Sequence, residues 1–334
     1  MSLRSIRVRL LWKLHRVFER RLFGRGKGLE MDLRRPSGVA CPACLHEKTE
    51  TIREVPYYWT HLHHWNPSLS DFMTVVEPGM WGATFELRAC PECELIFVPE
   101  SRRGFTDRVE EHPLFIEKTA KPYLDLFQNE KIDAKYVRRL ESDEANMAPH
   151  LQLVIQEARM LARHLGAGSR FLDVGCNQGA FPAVMMELLS DVEVWGCEIN
   201  PTYARRCRER YPKLSLIDEP LAAQGEPLFD VVSCVGVIEH IWDLDDFVSG
   251  IRGRLASGGK VFIRTPDTAC FESRKLGYHW WAYLIPHHCQ LFAQKSLDAL
   301  MARHGLERTG SGSSAQEFWT IYTARSAEDS SCAA

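Results

Sequence analysis

The sequence contains no apolar run of the roughly 18–20 residues that a transmembrane helix requires. It also shows no secretory signal peptide and no internal repeat. The formal net charge is only −3, which argues against a general nucleic-acid binder, because such proteins neutralise phosphates with a basic surface. Hydrophobic residues make up 45% of the chain and charged residues 25%, as in ordinary globular proteins with a sizeable core. These features predict a soluble, cytoplasmic protein.

A disulfide framework is also not expected, although the chain has eleven cysteines. Their number is odd and no signal peptide accompanies them. Four of them form two matched Cys-Pro-x-Cys pairs, namely Cys41 with Cys44 and Cys90 with Cys93. Thiolates at this spacing converge on one ion, so we predict a closed, structural Zn²⁺ site in a zinc-ribbon-like module over residues 38–100. The alternative is two unrelated pairs of surface thiols. Histidines at 61, 63 and 64 lie between the pairs, and the sequence assigns them no role.

The charge is concentrated at the beginning of the chain. Residues 1–28 carry nine Lys and Arg residues against one Glu, so the remaining residues carry a net charge of −11. Apolar residues recur there every three or four positions beside a basic face, which predicts a basic amphipathic helix. Such a helix suits an anionic membrane surface or a protein partner, here through residues 1–24. Docking on its own protein and a mitochondrial-type presequence are the other interpretations.

Residues 166–325 alternate strand-like and helical patterns, which predicts an α/β domain with a mostly parallel sheet. The predicted parallel strands are Arg170–Val174, Val192–Cys197, Leu214–Ile217, Asp230–Val235 and Lys260–Thr265. A last strand near Phe318–Thr323 is predicted to be antiparallel and to lie at the sheet edge. Residues 101–165 are predicted to be helical, and the Ser- and Ala-rich tail at 326–334 to be disordered.

The stretch Phe171–Phe181 combines a short apolar strand, a compact turn and the beginning of a helix. An open parallel sheet binds ligands where its strands end, and the turn lies at such an end. A dinucleotide fingerprint would require Gly-x-Gly-x-x-Gly, but Asn177 stands where the middle glycine would be. Asn tolerates left-handed backbone better than most residues, so the turn is expected to form.

Three successive predicted strands end in a carboxylate. Asp173 ends the first strand, Glu198 follows 25 residues later, and Asp218 ends the third. A carboxylate at the position of Glu198 can accept hydrogen bonds from both hydroxyls of a ribose. Each acid alone has a structural explanation as a buried carboxylate, but three in succession favour a nucleoside ligand.

These motifs resemble class I S-adenosylmethionine-dependent methyltransferases. The resemblance rests on the Asp-x-Gly-x-x-x-Gly loop and on Phe229–His240 and Leu255–Asp267, and it covers about residues 165–305. It implies a Rossmann-like sheet, S-adenosylmethionine as cofactor, and helices within 101–165 that cover the cofactor. The cofactor-binding residues that it implies are Asp173, Gly175, Cys176, Asn177, Gly179, Glu198, Ile199, Asp218 and Val235.

Two histidines are candidates for a general base that takes the proton of the acceptor. His240 follows the fourth strand, and His288 lies in Pro286–Phe292, which resembles a further segment of the family. An imidazole titrates in the useful range. For His240 the alternative is helix capping, and for His288 it is packing under the sheet. The aromatic residues Tyr278, Trp280, Trp281 and Tyr283 precede His288 and suit stacking on an acceptor ring.

The cysteine pairs ahead of this core resemble bacterial sugar C-methyltransferases with an amino-terminal zinc-binding module. That resemblance implies a sugar, glycan or related small-molecule acceptor, such as a lipid-linked glycan at the inner membrane surface. The sugar C-methyltransferases continue into a further domain that this sequence does not show, so O-methylation is slightly favoured over C-methylation. The alternatives are a non-enzymatic module that recruits a partner or membrane, and a protein or RNA methyltransferase. The latter is less favoured because no Asn-Pro-Pro-Tyr-like motif follows the fourth strand.

Overall fold

The computed structural model describes residues 35–56, 84–98, 132, 137–138, 149–221, 225–277, 280–284 and 288–324. Several predictions lie outside these residues: the basic helix at 1–28, the histidines at 61–64, most of the helical region 101–165, Tyr278, and the tail at 326–334. No helix among the described residues is long and apolar enough to cross a membrane.

The described residues contain twelve strands in two sheets. In chain order they are β1 Arg35–Pro36, β2 Glu50–Pro56, β3 Thr84–Ala89, β4 Ile96–Phe97, β5 Arg170–Val174, β6 Glu193–Cys197, β7 Ser215–Ile217, β8 Phe229–Val235, β9 Leu255–Pro266, β10 Gln290–Leu291, β11 Leu306–Ser313 and β12 Glu317–Ala324. The larger sheet has seven strands in the order β11-β12-β9-β8-β5-β6-β7. All five predicted parallel strands are present, and each pairs in parallel with its neighbour among them.

The antiparallel strand is present, but the prediction of its place was wrong. Strand β12 pairs antiparallel with β9 on one side and with β11 on the other, so it lies one position inside the sheet. Strands β11 and β12 form a hairpin, and the hairpin adds to the sheet through its second strand. The edge strand is therefore β11, which the sequence analysis did not identify.

Six α-helices are described: α1 Pro149–Ala162, α2 Ala180–Leu188, α3 Pro201–Arg210, α4 Leu244–Gly253, α5 Phe271–Leu276 and α6 Gln294–Arg303. Short 3-10 helices cover Ile238–His240 and Trp281–Leu284. The sequence around Asn200 explains why helix α3 begins where it does. The Asn200 side chain accepts hydrogen bonds from the amides of Thr202 and Tyr203, and Pro201 occupies the first helical position. Both features favour helix initiation.

Apolar side chains cover both faces of the seven-stranded sheet. Residues of α1 and α2, such as Ile155 and Val184, form one cluster with Phe171 and Phe262. On the other face, residues of α4 and α6 form a second cluster with Val232 and Val261. A sheet buried on both faces explains why its central strands are nearly continuous apolar runs.

The smaller sheet belongs to the cysteine module and has the order β1-β2-β3-β4-β10, with every pair antiparallel. Its fifth strand, β10, comes from the segment between α5 and α6 of the α/β domain. The module therefore shares a sheet with the domain that follows it in the chain.

Candidate active site

The loop after β5 lies where the strand order reverses, because β5 has β6 on one side and β8 on the other. Gly175 has φ +71°, and a Cβ there would lie 2.4 Å from a Val237 methyl. Asn177 adopts the left-handed conformation, with φ +53°, as predicted. Gly179 has φ +84°, and a Cβ there would lie 2.7 Å from the Cys207 sulfur. The loop therefore requires its two glycines. It brings its backbone to the carboxyl ends of the parallel strands, where ligands bind.

Glu198 holds this loop from the neighbouring strand. Its carboxylate accepts a hydrogen bond from the Asn177 amide at 2.9 Å and another from the Asn200 amide at 2.8 Å. Burial raises the pKa of Glu198, although both amides favour its charged form. Each carboxylate oxygen has a second lone pair, so the side chain can hold the loop and also accept from a ligand hydroxyl. Its predicted contact with ribose stays a prediction.

Asp173 is buried at the base of the loop. Its Oδ1 accepts a hydrogen bond of 2.6 Å from the Ser233 hydroxyl. Burial raises the pKa of Asp173 to about 7, against the opposing effect of Ser233. A cationic group beside this carboxyl would stabilise its charged form. The ammonium and sulfonium of S-adenosylmethionine are such groups, so the residue fits the predicted cofactor.

The remaining predicted cofactor residues differ in exposure. Ile199 is 62% exposed although it is apolar, so its side chain, next to Glu198 in the sequence, can contact an adenine ring. The Cys176 side chain is buried in the core, so only its backbone can face a ligand. Asp218 is exposed and pairs with Arg208 at 2.6 Å, and this guanidinium lowers the pKa of Asp218. Val235 is half-buried at the end of β8.

The two candidate bases, predicted from separate motifs, lie side by side. The ring centroids of His240 and His288 are 4.7 Å apart in an edge-to-face arrangement. Glu239 completes the group. One potential metal-ligating atom from each of Glu239, His240 and His288 lies within 4.8 Å of the other two. Two imidazoles and a carboxylate at this separation can relay a proton or hold a metal ion.

Glu239 was not among the predicted site residues. It is buried, and its Oε2 accepts a hydrogen bond from the Thr265 hydroxyl at 2.9 Å. Burial raises its pKa to about 7. Its place immediately before His240, just beyond β8, is the same strand-end signal that identified Asp173 and Glu198.

His288 is buried, and its Nδ1 lies 3.0 Å from the Ala282 carbonyl oxygen. A carbonyl can only accept, so Nδ1 carries the hydrogen and the lone pair of the neutral ring is on Nε2. Trp281 lies at the edge of this ring, with centroids 5.9 Å apart, and is 39% exposed. Trp280 and Tyr283 are buried with Leu291, so of the three described members of the aromatic cluster at 278–283 only Trp281 is exposed. Burial of these two rings leaves Trp281 as the described member of the cluster that is available for the predicted stacking, which stays a prediction.

A partly buried ion cluster that the sequence analysis missed connects α1 to the sheet. Arg264 of β9 lies 3.2 Å from a Glu157 oxygen and 3.7 Å from a Glu317 oxygen. Burial raises the pKa of Glu157 to about 7, and the charge of Asp173 adds to this effect. Helix α1 is thus held to β9 of the sheet through Glu157 and Arg264. The predicted role of this region as a cofactor cover stays a prediction.

The four cysteines form a second candidate site. The Cys41 and Cys93 sulfurs are 3.5 Å apart, as are those of Cys44 and Cys90. All four sulfurs lie within 4.8 Å of one another. Tetrahedral Zn–S bonds of about 2.3 Å place the sulfurs roughly 3.8 Å apart, so the group fits Zn²⁺.

The two cysteine turns have matching backbones. Leu45 donates its amide to the Cys41 carbonyl, and Glu94 donates to the Cys90 carbonyl, both at 2.9 Å. The same two residues have positive φ angles, of 62° and 68°. Each turn therefore presents its first and second cysteine in the same way, which explains why the two Cys-Pro-x-Cys pairs converge on one point.

Comparison with known proteins gives three kinds of similarity. Residues 146–309 match the family model described as "Methyltransferase domain". A curated relative, the "Ubiquinone biosynthesis O-methyltransferase" of Xanthomonas axonopodis pv. citri (strain 306), is 30% identical over 161 residues, which cover 44% of this chain and 66% of the relative. A "Probable S-adenosylmethionine-dependent methyltransferase" of Mycolicibacterium smegmatis is 33% identical over 113 residues, which cover 33% and 42%. The matched region thus spans less than two thirds of these curated relatives.

Among solved structures, the N-methyltransferase NodS of Bradyrhizobium japonicum WM9 superposes with a TM-score of 0.39 and 18% identity, over 59% of this chain and all of NodS. Geranyl diphosphate C-methyltransferase of Streptomyces coelicolor A3(2) superposes with a TM-score of 0.41 and 16% identity, over 54% of this chain and 82% of the enzyme.

Proposed function

We propose that this chain, whose residues 146–309 match a methyltransferase family model, transfers a methyl group from S-adenosylmethionine to a hydroxyl oxygen of a small-molecule acceptor. The observation that carries the proposal is the contact between two imidazoles, His288 and His240, the latter on a segment whose Val237 lies next to Gly175 of the cofactor loop. A loop alone would support cofactor binding. The two bases beside it provide for removal of a proton, which methylation of a hydroxyl requires.

The residues of the loop and its neighbours would hold the cofactor. Asp173 provides a buried carboxylate for the methionine end, Glu198 accepts from the ribose, and Ile199 offers an apolar face to the adenine. When bound, S-adenosylmethionine supplies an electrophilic methyl group on a positively charged sulfur, so the protein's contribution is alignment and removal of the acceptor proton.

One of the two imidazoles takes the proton of the acceptor hydroxyl. Nε2 of His288 carries the lone pair, since Nδ1 donates to Ala282. His240 is the more accessible ring, because it is half-buried whereas His288 is buried. We therefore assign contact with the acceptor to His240 and stabilisation of the resulting imidazolium to His288 and the Glu239 carboxylate. A positioned base typically contributes about 10²–10⁴-fold to the rate.

The acceptor class that we propose is a sugar or glycan hydroxyl. The four-cysteine module supports it through the resemblance to sugar methyltransferases, and the exposed Trp281 beside His288 offers a ring face for stacking on a sugar. The similarity to curated O-methyltransferases supports oxygen as the acceptor atom. It also makes a phenolic hydroxyl the main alternative to a sugar hydroxyl as the acceptor. A lipid-linked glycan at a membrane surface would also use the basic residues 1–24.

The test is methyl transfer from isotopically labelled S-adenosylmethionine to a panel of nucleotide sugars, lipid-linked sugars and phenols. We expect transfer to a sugar hydroxyl, a loss of about 10²–10⁴-fold in kcat for His240→Ala, and wild-type rates for a Lys295→Gln control at an exposed position. The acceptor proposal is wrong if only phenols react. The enzymatic proposal is wrong if the cofactor binds without transfer to any acceptor, and label in protein or RNA of a cell extract would favour a macromolecular acceptor.

A further inference from the structure

The cysteine module and the acceptor side of the active site are joined by main-chain hydrogen bonds. Strand β4 of the module pairs with β10, with Gln290 opposite Phe97 and Leu291 opposite Ile96. Strand β10 begins two residues after His288. The second cysteine pair ends at Cys93, only three residues before β4. The metal ligands and the active-site histidine are thus connected through a very short stretch of paired backbone.

The backbone of Cys289 connects three segments. Its carbonyl accepts a hydrogen bond from the Val98 amide at 2.9 Å, and its own amide donates to the Glu239 carbonyl at 2.9 Å. Val98 follows β4, Glu239 precedes His240, and Cys289 follows His288. The N–H and C=O of Cys289 belong to the two successive peptide units that meet at its Cα, so a shift of Val98 reaches the backbone of both histidine segments through a single residue.

Side-chain packing supports the same connection. Cys93, Leu95 and Phe97 belong to one apolar cluster with Ile238 and Phe292, which flank the histidine segments. All five are buried in that cluster. A tightly packed interior transmits displacement rather than absorbing it.

Arg303 of α6 fixes the first cysteine turn to the α/β domain. Its guanidinium donates to the carbonyl oxygens of Pro42 at 3.1 Å and Ala43 at 2.8 Å. The same side chain pairs with Asp245 of α4 at 2.6 Å. Both cysteine turns are therefore attached to the domain, one through Arg303 and the other through β4.

We propose that the four-cysteine module is a positioning element for the acceptor side of the active site. In this role, which rests on the proposed methyl transfer, the metal-bound cysteines hold Ile96–Val98 in place, and the Val98–Cys289–Glu239 hydrogen bonds hold His288 against His240. The cofactor loop follows β5 and is held by Glu198, so the module should affect the histidines and leave cofactor affinity unchanged.

The test compares Val98→Pro with Val98→Ala. Proline removes the amide that donates to Cys289, whereas alanine keeps it and removes only methyl groups. Cobalt in the cysteine site gives a thiolate charge-transfer band that reports whether the site is still formed. We expect both variants to keep this band and to bind S-adenosylhomocysteine within about 2-fold of wild type. We expect Val98→Pro alone to lose about 10²-fold in kcat, as a misplacement of about 1 Å can cause.

A second measurement does not require an acceptor. Side-chain ¹⁵N resonances of His240 and His288, followed through a pH titration, should shift in Val98→Pro and on removal of the metal from the wild type, but not in Val98→Ala. If Val98→Pro fails to fold, Arg303→Met, with Arg303→Lys as its control, replaces it. Unchanged histidine resonances after metal removal would overturn the positioning role. Absence of turnover in the wild type would instead count against the proposed function.

Discussion

Substitution of Gly175 by alanine should reveal how closely the cofactor loop approaches the segment of His240. Gly175 has φ +71°, and a Cβ at this position would lie 2.4 Å from the Cγ2 methyl of Val237. The Val237 carbonyl accepts the His240 amide at 2.9 Å, so a movement of Val237 is passed to the histidine segment. The substitution therefore perturbs the fold and the site together.

Two contributions to the cost can be separated with a matched control. Gly258 has the same φ of +71°, but no atom lies within 4 Å of the Cβ that alanine would add. Gly258→Ala should lower the free energy of unfolding only by the cost of placing alanine in a left-handed conformation, about 1–2 kcal/mol. Gly175→Ala adds a packing conflict of about 1–3 kcal/mol, for a total of about 2–5 kcal/mol.

The assay is urea unfolding of both glycine variants, of Val237→Ala and of the Gly175→Ala/Val237→Ala double variant. The double variant should recover about 1–2 kcal/mol relative to the sum of the two single changes, because truncation of Val237 removes the clash. Affinity for S-adenosylhomocysteine should fall with Gly175→Ala and be unchanged with Gly258→Ala. Equal free energies of unfolding for the two glycine variants would refute the close approach of Gly175 and Val237.

Three further predictions concern buried charge and the metal. Because burial raises the pKa of Asp173 from 3.8 to about 7, the folded state binds more protons than the unfolded state in this window. Asp173 alone should therefore lower the free energy of unfolding as pH rises from 4 to 7 by up to about 1.4 kcal/mol per pH unit. In urea unfolding, Asp173→Asn should remove this share of the slope and leave the shares of Glu157 and Glu239, whose pKa values burial also raises. Arg264→Met should destabilise by about 3–5 kcal/mol, since it leaves Glu157 buried without its cation, and additional Glu157→Gln should recover part of this. Elemental analysis should find Zn²⁺ lost in Cys93→Ser but retained in Cys270→Ser, because Cys270 lies outside the four-cysteine group and its sulfur caps α5.

The sequence predicted those parts of the fold that depend on local pattern. The buried parallel strands appear as apolar runs, and Arg170–Val174 has the predicted bounds. Strand β11 was missed because Leu306–Ser313 contains two glycines and two serines, and of its residues only Leu306 is buried. An edge strand needs little apolar surface, so composition alone does not identify it.

The candidate site was predictable where it follows one strand and unpredictable where it joins two distant segments. Asp173 and Glu198 end adjacent strands, so their proximity followed from the parallel order. His240 and His288 are 48 residues apart in the sequence, and no spacing rule brings them together. Their contact depends on the Cys289–Glu239 hydrogen bond, which is tertiary.

The position of β10 indicates that the cysteine module depends on the α/β domain for part of its sheet. Strands β4 and β10 have two residues each, and so short a strand gains little stability by itself. In the sheet of the module, β4 lies between β3 and β10. Removal of the α/β domain would remove β10 and the Arg303 contacts together. It would also expose Leu95 and Phe97, which are buried against that domain. Metal binding could still hold the two cysteine turns, but the backbone beyond Cys93 would lose its partner. The arrangement thus favours a metal site that acts on the domain to which it is attached, because the residues that connect the two are the ones that place His288.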